Sequence, residues 1–117
     1  MTAPIARTPE PPYWTVIFTS LRRPEDDEGY HAMARALEER ASAQPGFLGL
    51  ESARDERGFG LTVSYWRSLD DVGAWKREAL HVVAQRAGRV RWYADYALRI
   101  ARVERAYTLA TSERTGL

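Results

Sequence analysis

His81, Gln85, Gly88 and Trp92 are spaced i, i+4, i+7 and i+11, the spacing of a single stripe along a helix, and Arg89 adjoins them. Such a stripe would carry an imidazole that titrates near neutral pH, an amide, a gap where a guest can approach the backbone, and an indole face. Indole faces hold planar molecules, and an imidazole can accept a phenolic proton. His81 is the one pH-tunable group on such a stripe, beside a gap through which a guest could approach. The alternative is structural: a tryptophan packed in the core and a hydrogen-bonded histidine.

Other constellations are weaker. Glu28 and His31, and again Glu78 and His81, form Glu-x-x-His pairs whose members share a helix face. Di-iron sites built from such pairs need four long helices, and this chain offers two helices and a sheet, so no metal is expected. Arg57-Gly58-Phe59-Gly60 matches the opening of an RNA-binding octapeptide, but Leu61 stands where a base-stacking ring is required and Thr62 and Ser64 where core residues belong. That string reads as a hairpin turn. No Gly-x-Ser-x-Gly elbow supports a serine nucleophile.

Composition narrows the classes further. The chain has 117 residues, 44% of them hydrophobic, with 17 Lys+Arg against 16 Asp+Glu, a balance suited to one globular domain. A net charge of +1 supplies no general attraction to nucleic acid or to an anionic membrane. With no cysteine, disulfides, thiolate nucleophiles and cysteine-ligated metals are excluded. No basic segment precedes an apolar run at the start, and no run of about 18 apolar residues occurs. A cytoplasmic protein without membrane or nucleic-acid partners is the expectation.

The elements that must position the stripe follow from pattern. Four prolines among the first twelve residues predict an extended arm over 1–12. Tyr13 to Leu21 is aromatic and β-branched, a strand. Tyr30, Met33, Ala34, Leu37 and Ala41 lie at helical spacing within 28–44, capped by Asp26 or Asp27 and stopped by Pro45-Gly46. Phe47 to Arg54 and Phe59 to Trp66 make a hairpin about Asp55-Glu56-Arg57-Gly58. Ser68 caps a long helix predicted to reach about Tyr93 with a break near Gly73 or Gly88, and Tyr96 to Leu109 reads as the last strand. The folded domain is thus placed at 13–109 and a tail at 110–117. The order βαββαβ is α+β and ferredoxin-like: a four-stranded antiparallel sheet with two helices on one face. The bare face keeps too much apolar surface, which predicts a homodimer with sheets face to face.

With Tyr65-Trp66-Arg67-Ser68, Ala74-Trp75-Lys76, His81, Ala84-Gln85, Gly88-Arg89, Trp92-Tyr93 and Arg102-Val103-Glu104-Arg105-Ala106-Tyr107, the chain resembles the antibiotic biosynthesis monooxygenase family over about Tyr13 to Tyr107. The resemblance implies a dimeric α/β barrel with a pocket between sheet and helices in each protomer. It places Trp66 where haem-degrading members carry a tryptophan, and His81 on the helix that carries their iron ligand, although the ligand position itself falls nearer Gln85. Catalytic members use a pocket asparagine, and this sequence has none. The implied site is Trp66, Arg89 and Trp92 around a small aromatic ligand, with His81 and Gln85 as catalytic groups. The implied reaction is cofactor-free oxygenation, in which the deprotonated phenol reduces O2. Two alternatives stay open: haem bound through His81, and a dimeric small-molecule binder without catalysis.

Overall fold

The computed structural model describes residues 5–87 and 92–111. Its elements are β1 (Tyr13–Arg22), α1 (Asp27–Ser42), β2 (Phe47–Arg54), β3 (Phe59–Trp66), α2 (Leu69–Ala87) and β4 (Tyr93–Val103). The strands form one sheet in the order β2-β3-β1-β4, and every pairing is antiparallel. This is the ferredoxin-like βαββαβ arrangement. Local chemistry accounts for most boundaries. Asp26 takes a positive φ and its carboxylate accepts the Gly29 N–H at 3.1 Å, capping α1. Ser68 Oγ accepts the Asp71 N–H at 3.1 Å and caps α2. Gly58, at φ +92°, turns the β2–β3 hairpin.

Cross-strand register sorts side chains between the two faces, because directly opposed residues point the same way. Val16 lies opposite Ser64 and Ile100, and Phe18 opposite Thr62 and Leu98. These residues face the helices. One cluster there joins Val16, Ala41, Trp66 and Val72, flanked by Trp14, Phe47, Leu50 and Trp75. A second joins Tyr30, Met33 and Trp92, flanked by Leu37, Val83 and Tyr93. The other face carries Ile17, Leu21, Phe59, Leu61, Val63 and Tyr65.

Two boundaries differ from the sequence expectation. α2 is described over Leu69–Ala87 and runs unbroken through Gly73, whereas Trp92 lies off the helix and Tyr93, its expected end, is already strand; Gly88 lies outside the described residues. β4 starts at Tyr93 and ends at Val103, earlier at both ends than the expected 96–109. The cause is pairing. β4 lies along the whole of β1, from Arg22 opposite Tyr93 to Tyr13 opposite Val103. Beyond Tyr13 the partner strand continues into Pro12 and Pro11, which have no N–H to donate, so the ladder cannot extend past Val103.

The segment 5–12 lies against one corner of the open face. The Ala6 N–H donates to Glu51 Oε2 at 3.0 Å, the Tyr65 hydroxyl donates to Glu51 Oε1 at 2.6 Å, and Thr8 and Tyr13 share a hydrogen bond of 2.7 Å. A Cβ on Gly49 would stand 2.9 Å from the Ala6 Cβ, so a glycine there allows the arm to close down.

Candidate functional site

Of the nominated residues that the structure describes, Trp66, Trp92 and the α2 pair of His81 and Gln85 lie in three separate places. Trp66 is fully buried at the end of β3, stacked on Trp75 with centroids 5.6 Å apart, and its indole N–H donates to Ser64 Oγ at 2.8 Å. It is a core residue. Trp92 is buried in the other cluster, against Tyr30 and Met33, and its carbonyl accepts the Arg23 N–H at 2.7 Å. The buried stripe of α2 is Val72, Trp75, Val82 and Val83, whereas His81 and Gln85 are exposed on its outer side. The expected stripe of His81, Gln85, Gly88 and Trp92 is therefore corrected: Trp92 belongs to the approach to β4, and the first two point away from the sheet. Arg89, like Gly88, lies outside the described residues. The sequence does contain the deciding signal, since the Val72 to Val83 spacing is a stronger helical stripe than one holding a histidine and a glutamine.

An exposed apolar strip, here termed the trough, lies elsewhere, on the helix side of β4. Tyr96, Leu98 and Ile100 share the face of Phe18 and Val16, yet are 63%, 42% and 42% exposed. The helices explain why. α1 and α2 cover β2, β3 and β1, and Glu78 on one flank of α2 pairs with Arg40 of α1. The opposite flank, by helical geometry, presents exposed Leu69 and Leu80 toward the β4 side. Phe18 forms the floor, with ring centroids 5.2 Å from Tyr93 and 5.5 Å from Tyr96.

At one end the trough becomes polar. Arg22 closes β1, with its guanidinium carbon 4.0 Å above the Tyr30 ring and Nη1 2.7 Å from Asp27 Oδ1. Arg54 approaches the same ring at 5.6 Å; its Nη2 donates to Ser20 Oγ at 2.7 Å and its Nη1 to the Gly58 carbonyl. Gly60 makes that possible, because a Cβ there would sit 2.6 Å from the Arg54 guanidinium carbon. Tyr93 stands 6.0 Å from Tyr30, centroid to centroid. Burial pushes its phenol well above the usual tyrosine range, and the neighbouring Tyr30 adds to this, while Arg54 and Arg22 act in the opposite sense. A slip of register between Leu21 and Arg22 bulges the ladder at this point. These residues were missed in the sequence, because only the strand register brings Arg22, Arg54 and Tyr93 to one end of one face.

The donor sets for metals and haem do not match this site. Among the described residues no group of three His, Cys, Asp or Glu could hold a metal ion. His31 is 56% exposed beside Asp27, and His81 points outward, so neither histidine faces the trough, where one would be needed to hold haem iron. No helix is long and apolar enough to cross a membrane.

Comparison with known proteins bears on what such an arrangement is for. Residues 14–87 match the family model for antibiotic biosynthesis monooxygenase. The chain belongs to the antibiotic biosynthesis monooxygenase family. Protein YqjZ of Bacillus subtilis (strain 168) is 46% identical over 101 residues, 86% of this chain and 88% of that protein. The jasmonate monooxygenase ABM of Pyricularia oryzae (strain 70-15) is 30% identical over 94 residues, 77% of this chain but 43% of that protein, so the chain spans less than half of that relative's length. Among solved structures, PA3566 from Pseudomonas aeruginosa has a TM-score of 0.62 at 18% identity, covering 85% of this chain and 99% of that one. SO0527 from Shewanella oneidensis has a TM-score of 0.65 at 10% identity, covering 81% and 94%. These two likenesses concern the fold. Within the family's architecture, the sheet-to-helix side of the protomer is where this chain carries its exposed apolar trough.

Proposed function

We propose that this chain is a monooxygenase of the antibiotic biosynthesis type that takes a flat phenol or quinol into the trough of Phe18, Tyr96, Leu98 and Ile100 and oxidises it with O2 alone. The observation that carries this reading is the exposure of three large apolar side chains on the helix side of β4, where folding would otherwise bury them. A ring lying there meets aromatic faces on two sides. The trough is open to water, so the ligand's phenolic proton leaves to solvent. The resulting electron-rich anion passes an electron to O2, and the two radicals join through a new C–O bond. That peroxide anion takes a proton back from solvent, and loss of water from the hydroperoxide leaves a quinone, with one oxygen atom retained and the other released as H2O. The relative named as a jasmonate monooxygenase supports an oxygenase reading at the level of reaction type.

The protein works as a homodimer in this account. Leu21, Phe59 and Leu61 are exposed on the open face, next to Ile17 and Val63, and a second sheet laid on them removes that surface from water. Sedimentation velocity at micromolar concentration is expected to show twice the 13.3 kDa chain mass.

Oxygen uptake measured with a panel of naphthols and hydroquinones tests the function. Expected is consumption of one O2 per substrate, with quinone absorbance appearing in step and no added haem or flavin. Uptake no faster than buffer autoxidation across the panel, or uptake that needs an added cofactor, overturns it.

A further inference from the structure

The Nε and Nη2 atoms of Arg22 are buried and have no hydrogen-bond partner among the described residues. They are the two donors on one edge of the guanidinium, the edge that matches the two oxygens of a carboxylate. Leaving such donors unpaired away from water is costly, so a site that keeps them has a use for them. The rest of Arg22 is held in place: Nη1 is on Asp27, the plane lies over Tyr30, and the side chain is only 12% exposed. Arg54 adds a second guanidinium, seated against Gly60 and bonded to Ser20.

The lining of this end carries Arg22, Arg23, Arg54 and Arg57 against Asp27, Asp55 and Glu56, an excess of one positive charge. Asp27 is the one carboxylate bonded to either guanidinium among the described residues. Asp55 of the hairpin turn accepts the N–H groups of Arg57 and Phe59 on its Oδ1. A cleft of about 320 Å³ lined by Arg22, Arg23, Asp27, Arg54 and the 55–58 turn opens here. Through Tyr30 and Tyr93 the same residues abut Phe18 and the trough. The bulge between Leu21 and Arg22 breaks the regular ladder at this junction.

We infer that the Nε–Nη2 edge of Arg22 binds the carboxylate of a ligand whose flat apolar body lies in the trough along Phe18, Tyr93 and Leu98. The substrate class is then a phenolic or quinol carboxylic acid, an inference that rests on the proposed function in its choice of trough. Anchoring one end of the molecule at a fixed fork sets which ring carbon lies over Phe18, and so gives regioselectivity without a catalytic residue in contact with it.

Calorimetric titration of the full chain with 2-naphthoate, with its neutral isostere 2-naphthamide, and with inorganic phosphate tests this. The acid is expected to bind at least about tenfold more tightly than the amide, as a buried charge-assisted pair allows. Phosphate should displace it poorly. In Arg22→Lys, which keeps the charge and loses the fork, the preference should fall to about twofold, with circular dichroism reporting an intact fold. Equal affinities in the wild type, a preference that survives Arg22→Lys, or phosphate competing as well as naphthoate each overturn the inference and leave the trough standing. Failure of both naphthalenes to bind overturns the trough as well.

Discussion

Replacing Trp66 separates a core role from a ligand-contacting one. The indole is fully buried, stacks on Trp75 and donates to Ser64. Removing a tryptophan side chain takes about 200 Å² of apolar surface out of burial, about 5 kcal/mol at 25 cal/mol per Å², and part of the cavity then collapses. Trp66→Ala should therefore cost about 3–5 kcal/mol, a large share of the roughly 5–15 kcal/mol that stabilises a domain of this kind. Trp66→Phe keeps most of the packing and leaves Ser64 without its donor, for a cost of about 1–2 kcal/mol. Urea unfolding at fixed protein concentration, followed by circular dichroism, reads both. A Trp66→Ala cost below about 1 kcal/mol would refute the packing argument and return Trp66 to the list of ligand contacts.

His81→Ala should leave O2 uptake within about twofold of wild type, whereas Leu98→Asp should abolish it at a stability cost below about 1 kcal/mol because the site is exposed; the reverse pattern would put the chemistry on α2. Stability should fall as pH rises past about 10, the unfolded tyrosine value. Tyr65, raised by burial and by its bond to Glu51, and Tyr93, raised by burial and by Tyr30, keep their protons when folded and lose them when unfolded. Tyr65→Phe should flatten that decline between pH 9 and 11, and an unchanged slope would remove Tyr65 from it. Gly60→Ala should unseat Arg54 and cost about 1–3 kcal/mol in thermal unfolding.

The parts of the fold readable in the sequence were those set by local chemistry. The stripe from Tyr30 to Ala41, the Asp26 and Ser68 caps and the glycine turn at Gly58 each rest on neighbours within four residues. The junction between α2 and β4 does not. His81, Gln85, Gly88 and Trp92 keep a helical interval, and only the ladder with β1 makes Tyr93 extended. The site suffered from the same blindness. A histidine and an indole at helical spacing look like chemistry, while the buried stripe from Val72 to Val83 turns the histidine outward. Arg22 and Arg54 are 32 residues apart in sequence and meet because β1 and β2 both flank β3. The extended arm expected over 1–12 is described from residue 5, and its seat on Gly49 and Glu51 depends on register.

Hydrogen exchange followed by mass spectrometry, with and without saturating 2-naphthol, tests the location of the site most directly. Ligand-dependent protection should fall on peptides covering Tyr93 to Val103 and Phe18, leaving 76–86 unchanged. Protection centred on α2 around His81, or on the open face around Phe59 and Leu61, would contradict the assignment of the trough.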